Sequence, residues 1–385
     1  MASPAGLSRD PRRPISRQPF GSSRATAAMP IRHHHSPPKL TLTQERHAMR
    51  KLNEQNERIK RRYLQYLKVA KRKDASTVQK AAEGILRFEA STNYVSFKRF
   101  HIEQAIKFQD RLNAEISKQT GKPLSKSTIR TILSANKCFI FWLADQSGYK
   151  SRIRHSDADY FNMDAKGARV ASAARETPYP SMQMARHAFQ YMSEVTEIDR
   201  RNKALFAFLM LTGARDGAIA SLRIKHINMI DGYVYQDARD VRTKNSKTIT
   251  TYFLPVDAEY LAFFKGWMMH LSDVALFGPD DPLFPPAKIE PVGGEFKVVG
   301  LKREVYKNAN AIRAVIKEAF VRADLPPFTP HAFRKTLVKW ADTAYPTREG
   351  FKAFSQNIGH TSVVTTISAY CPVSVERQGE LIKGS

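Results

Sequence analysis

The chain has 385 residues, too many for one ordinary domain, and its 42% hydrophobic and 10% aromatic content supplies enough apolar surface for real cores, which excludes wholesale disorder. Lysine and arginine number 62 against 36 acidic residues, a net charge of +26, so the chain attracts polyanions and nucleic acid leads the partner classes. Cys138 and Cys371 are too few for a disulfide framework or a Cys-rich zinc site and fit a reducing compartment.

Residues 1–40 are rich in Pro, Ser, Arg and Ala without hydrophobic periodicity and read as a disordered basic arm. His33, His34 and His35 are consecutive, so they cannot all face one ion from a rigid element and read as a solvated tract. From about Thr43 to Asp145 the pattern is helical. Ser76-x-x-Gln79 reads as a capping box before a stripe of Val78, Ala81, Ala82, Ile85 and Leu86. Ile102, Ala105, Ile106, Leu112 and Ile116 predict a second helix, and Ile129, Ile132, Leu133, Phe139, Ile140 and Leu143 another. Lys126, Arg130 and Lys137 lie off that last stripe, where they can meet phosphates.

Periodicity fades over residues 151–177, which read as an exposed basic linker. Ser181 then caps a helix; Ala204, Leu205, Phe208 and Leu209 mark the next, and Gly213 ends it in a left-handed C-cap. Tyr233-Val-Tyr235 and the run 248–254 predict a short antiparallel unit around a turn at 241–247. A Pro/Gly-rich loop is expected over 277–300, with helices again at 311–320 and 333–340. The domain plan is thus an arm at 1–40, a helical domain at 41–150, a linker at 151–177 and a mostly helical second domain with one small sheet at 178–385. The longest apolar runs, at 138–144 and 204–211, fall far short of the ~18 residues of a membrane span. A soluble intracellular protein is expected.

Three basic boxes stand out in the second domain: Thr212-Gly-Ala-Arg-Asp216, His331-Ala-Phe-Arg334, and Ile358-Gly-His360 followed ten residues later by Tyr370. The three-residue spacing puts His331 and Arg334 on one face of a helical turn. Thr365-Thr366 lies in a helix-like run between His360 and Tyr370. Singly each box is weak; together, in this order and behind a helical module, they resemble the tyrosine recombinase (phage integrase) family.

The resemblance implies a fold that is mainly α with a small antiparallel β-sheet, a helical core-binding domain joined to a mixed α+β catalytic domain. It implies a site-specific DNA recombinase that cleaves and rejoins DNA through a 3′-phosphotyrosyl link, without metal, ATP or other cofactor. Arg215 and Arg334 are then the cationic clamp for the charge that builds on the phosphate, and His360 adds a hydrogen bond. Tyr370 is the nucleophile, with His331 accepting or orienting its proton. The general acid for the leaving 5′-oxygen is a lysine of the hairpin turn: Lys244 is favoured and Lys247 is its rival, also a candidate phosphate contact. Ala218 stands where members often carry an acidic residue, and the interval from His360 to Tyr370 is one residue longer than in many of them. The implied partner is double-stranded DNA, bound by a homotetramer on two recombination sites, with accessory DNA-bending proteins left open. The implied setting is the cytoplasm, on the nucleoid, in a bacterial or phage-derived element. A type IB topoisomerase-like enzyme and a catalytically inactive DNA-binding relative are the alternatives.

Overall fold

The computed structural model describes residues 52–173, 177–360, 362–370 and 375–384, which fall into two compact units divided between Ala173 and Ala174. The arm at 1–40, the start of the helical pattern near Thr43 and Cys371 lie outside the described residues.

The first unit is all helical. Helices α1 (Glu54–Val69), α2 (Ala75–Ser91), α3 (Ile102–Ala114) and α4 (Lys126–Leu143) carry its core. Phe88 is its centre, with the rings of Phe97, Phe100, Phe108 and Phe161 all within 6.4 Å of it, centroid to centroid. The expected Ser76 box is not the start signal of α2. Asp74 caps it instead, accepting from the Thr77 backbone and from the Ser76 hydroxyl, because an ionised carboxylate outcompetes a hydroxyl for the exposed N–H groups. Helix α3 stops at Ala114, so Ile116 is not part of it, and Ile106 faces outward.

The stretch read as a linker is largely structured. A 3₁₀ segment (His155–Phe161) and helix α5 (Ala165–Ser172) pack on α4, with Ile153, Ala158 and Phe161 buried. A few well-spaced apolar anchors suffice to dock this stretch, and its polar remainder hides them from a periodicity reading. The described part of the first unit therefore runs on to Ala173.

The second unit is built around α7 (Glu197–Thr212), whose residues 203–212 are all buried; a helix apolar on every side belongs inside a core. Around it lie α6 (Met182–Gln190), capped by Ser181 as expected, the single turn α8 (Asp216–Ile219), α9 (Ala258–Met269), α10 (Asn310–Arg322), α11 (Pro330–Ala344) and α12 (Arg348–Asn357). Two short helices follow, α13 (Val363–Tyr370) and α14 (Val375–Lys383).

Strands β1 (Ile227–Asn228), β2 (Tyr233–Gln236) and β3 (Ile249–Tyr252) form an antiparallel sheet in that order, with Tyr233 opposite Tyr252 and Gln236 opposite Ile249. A second sheet replaces the loop expected at 277–300: β4 (Ala287–Val292) pairs antiparallel with β5 (Glu295–Leu301). Gly293 and Gly294, both at positive φ, make its two-residue turn, so the glycines mark a hairpin and not an irregular loop. Among the described residues no helix is long and apolar enough to cross a membrane.

Candidate active site

The C-terminal end of α7 begins the site. Gly213 adopts φ 57°, as the left-handed C-cap demands, and turns the chain so that Arg215 becomes the N-cap residue of α8. Close by, the Leu254 backbone donates to the Leu211 carbonyl at 2.7 Å, tying the chain two residues past β3 to the same helix end.

Asn357 fastens the sheet to α12. Its Oδ1 accepts from the Tyr252 backbone at 2.7 Å, its Nδ2 donates to the Tyr252 carbonyl at 2.9 Å, and its own carbonyl accepts from Thr251. The chain then turns through Ile358 and Gly359. Gly359 sits at φ 77°, and a Cβ there would lie 2.7 Å from Ile249 Cδ1 and 3.6 Å from Arg215 Nη1. Only glycine lets the third box pass this closely beneath β3 and the first arginine.

Arg334 is the most deeply set cation, 1% exposed on the second turn of α11. Its Nη1 donates to the Gly213 carbonyl at 2.5 Å; its Nη2 donates to the Ile358 carbonyl at 2.7 Å and to His360 Nε2 at 2.9 Å. One guanidinium thus joins all three boxes. A planar fork with several fixed donors can do this, whereas a lysine could not reach the same set of acceptors.

His360 is buried too, and its Nδ1 lies 2.6 Å from Thr366 Oγ1. Burial, then the fields of Arg334, Arg215, His331 and Lys244, hold this imidazole down to about 4, so it is neutral at physiological pH. His331 keeps an exposed position on the first turn of α11, so the shared face expected for it and Arg334 has an outer and an inner end. Desolvation pulls it below the ordinary imidazole range, helped by Arg334 and Arg215 and opposed by Asp216.

Lys244 begins the turn that joins β2 to β3, where Asn245 and Ser246 both take positive φ. It is exposed, and its charge adds to those of Arg334, Arg215 and His331 in lowering the proton affinity of His360. Lys247, three residues on, is exposed as well. Arg215, Lys244, His331, Arg334 and His360 therefore share one electrostatic neighbourhood, and it is cationic. Tyr370 closes α13, but its side chain lies outside the described residues.

The candidate phosphate contacts of the first unit each have a protein partner: Lys126 donates to Asn113, Arg130 to Ser172, and Lys137 to Asn162 while pairing with Asp159 at 2.9 Å. Ala218 is buried, and the acidic group acting on His331 is Asp216 from the same turn, which also pairs with Arg313 at 2.5 Å. Sequence reasoning gave no role to Asp216, Ser355 or Thr366. The one available signal was the placing of Thr366 six residues after His360, between it and Tyr370. Among the described residues no group of His, Cys, Asp and Glu is arranged to hold a metal ion.

The family model for "Phage integrase family" matches residues 182–377. No curated protein sequence matches the chain. Several solved structures share the fold. A lambda integrase fragment, as a dimer bound to a COC′ core site, has a TM-score of 0.56 at 12% identity, over 82% of this chain and 94% of that one. The Tn1549 transposon integrase in complex with transposon right end DNA gives 0.54 at 14% identity, over 85% and 98%. The XerH site-specific recombinase bound to a palindromic difH substrate gives 0.52 at 15% identity, over 80% and 79%. The matched segment contains all three basic boxes and Tyr370, spans half of the chain, and coincides with the unit in which Arg334 joins those boxes; the chain belongs to the phage integrase family.

Proposed function

We propose that this protein is a site-specific DNA recombinase whose second unit carries the strand-transfer chemistry, while its first unit grips duplex DNA. The observation that carries this reading is the buried Arg334 fork, hydrogen-bonded to two backbone carbonyls and to His360 within a cluster of like charges. Burying a guanidinium close to further cations is costly. That cost is recovered when a polyanion enters, and a phosphodiester approaching its five-coordinate transition state suits fixed, preorganised donors. Arg215 and Arg334 bind the non-bridging oxygens.

The Tyr370 hydroxyl attacks phosphorus, so a tyrosyl O–P bond forms as the bond to the 5′-oxygen breaks. His331, neutral and accessible, accepts the phenolic proton. Lys244 supplies the proton to the leaving 5′-oxygen, favoured over Lys247 by its electrostatic reach to His360. The bond energy is kept in the phosphotyrosyl link, so the reverse attack by a 5′-hydroxyl reseals a strand unaided. Duplex DNA as partner is supported by the net charge of +26 and by solved relatives whose structures hold DNA. A tetramer on two sites follows from one nucleophile per subunit and four strands to exchange.

The test is covalent trapping. Wild-type protein incubated with nicked duplexes carrying candidate attachment sites is expected to form an SDS-resistant adduct mapping to Tyr370. Tyr370→Phe should bind the same DNA and give no adduct. An adduct formed by the phenylalanine variant, or one mapping elsewhere, overturns the assignment.

A further inference from the structure

His360 is held from both sides, and the donors and acceptors around it leave one arrangement of its protons. A guanidinium nitrogen can only donate, so the 2.9 Å contact from Arg334 Nη2 requires a lone pair on His360 Nε2. The neutral ring then carries its proton on Nδ1, which donates to Thr366 Oγ1 at 2.6 Å. Thr366 in turn lies 2.6 Å from Ser355 Oγ; a hydroxyl that accepts from the ring keeps a second lone pair and its own proton, so either residue can be the donor of that bond. Ser355, His360 and Thr366 are all buried, so water does not compete for these bonds. Two of these bonds have a fixed direction, Arg334 to His360 and His360 to Thr366, and Ser355 closes the far end of the chain.

The chain links three elements. Ser355 sits on α12, His360 in the turn after it, and Thr366 on α13, the helix that ends at Tyr370. We propose that Thr366, braced by Ser355, is a positioning residue: it fixes His360 as the Nδ1–H tautomer, orients the Arg334 fork through it, and locks α13 to the site. This rests on the recombinase reading for its consequence in catalysis, but the tautomer itself does not. In the resting site His360 is an acceptor toward Arg334, so the hydrogen bond expected from it to the phosphate is not pre-formed.

Selective ¹⁵N-histidine labelling of the full chain tests the tautomer directly, with the His360 signal identified by its loss in His360→Gln. Nε2 is expected at the shift of an unprotonated ring nitrogen and Nδ1 at that of a protonated one; the reverse pattern overturns the proposal. Thr366→Val keeps the shape of the side chain and removes the acceptor. Its adduct formation should slow about tenfold to a hundredfold with DNA affinity unchanged, and its rate–pH profile should shift as His360 loses its fixed tautomer among Arg334, Arg215, His331 and Lys244. Thr366→Ser should restore both. A valine variant with the wild-type rate and pH profile overturns the proposal. Should that variant fail to fold, Ser355→Ala and the spectrum of the unaltered protein still decide. If wild-type protein forms no adduct on any attachment-site DNA, the recombinase reading fails, while the nitrogen shifts judge the tautomer on their own.

Discussion

Each unit of the molecule buries a polar cluster that bears comparison with the other's, and these two are built on opposite electrostatic rules. In the first unit Asn56, Lys60 and Glu89 lie under helices α1 and α2. Lys60 meets Glu89 directly and Glu57 at 2.5 Å, while Asn56 donates to Glu89 at 2.9 Å and accepts from the Phe97 backbone at 2.9 Å. Burial pulls the Lys60 ammonium down, but its hydrogen bonds to Glu57 and Glu89 outweigh that, and its affinity for a proton ends above the ordinary value. The second unit sets Arg334 among carbonyls and an imidazole, with further cations around it, and there burial first and the neighbouring charges second drive a proton away from His360. A cluster that neutralises itself holds a fold together. One whose neighbouring charges repel a proton is prepared to receive an anion.

The sharpest way to break this comparison is to unbalance the self-neutralised cluster. Glu89→Ala leaves the buried Lys60 ammonium with Glu57 and without its buried carboxylate, removes an acceptor of Asn56, and should cost about 3 kcal/mol of unfolding free energy, read by urea denaturation. Replacing both partners, Lys60→Met with Glu89→Leu, should recover most of that loss. If the single variant is as stable as wild type, the first cluster is not the structural one.

In the second unit the matching change is Arg334→Lys, which keeps the charge and loses the fork. Adduct formation should fall by about 10²–10³, equivalent to about 3–4 kcal/mol, with little change in DNA affinity. An equal loss of binding and cleavage would make Arg334 an anchor for DNA and not a stabiliser of the transition state.

The smallest effect is in pH. The folded His360 titrates at about 4, below the ~6.5 of an unfolded imidazole, so on acidification the unfolded chain takes up this proton first. Stability from this group is therefore complete above ~6.5 and declines as pH falls toward 4, by at most about 3 kcal/mol. Lys60, with its raised affinity, acts in the opposite sense: its contribution is complete below the ordinary lysine range and is lost only as pH rises past it. Urea midpoints of wild type and His360→Gln across pH 4 to 8 should diverge toward the acid end. Parallel curves would show that burial and the cations around His360 do not lower its affinity for a proton.

The three boxes were legible because residue type and spacing mark them locally: arginines and histidines recur at short intervals, and a left-handed helix end before the first calls for glycine. Lys60 and Glu89 drew no notice, since 29 residues of chain separate two ordinary charges and nothing local marks their meeting. The hairpin at β4 and β5 was missed for a different reason. Its paired apolar residues, Ile289 opposite Val298 and Pro291 opposite Phe296, stand exposed beside charged ones, and the two glycines between them read equally well as loop punctuation. The linker reading failed where isolated anchors such as Phe161 carry the packing, because periodicity needs a run of positions to register.

By itself the sequence determined the two helical bodies, the helix ends at Ser181 and Gly213, and the identity of the cations, since these follow from local periodicity, capping and charge. Only the tertiary structure decided which of those cations share one neighbourhood, which proton His360 keeps, and that Thr366 and Ser355 stand behind it. Such facts depend on distances between residues far apart in the chain, and hydrogen-bond direction is set by what lies opposite an atom in space.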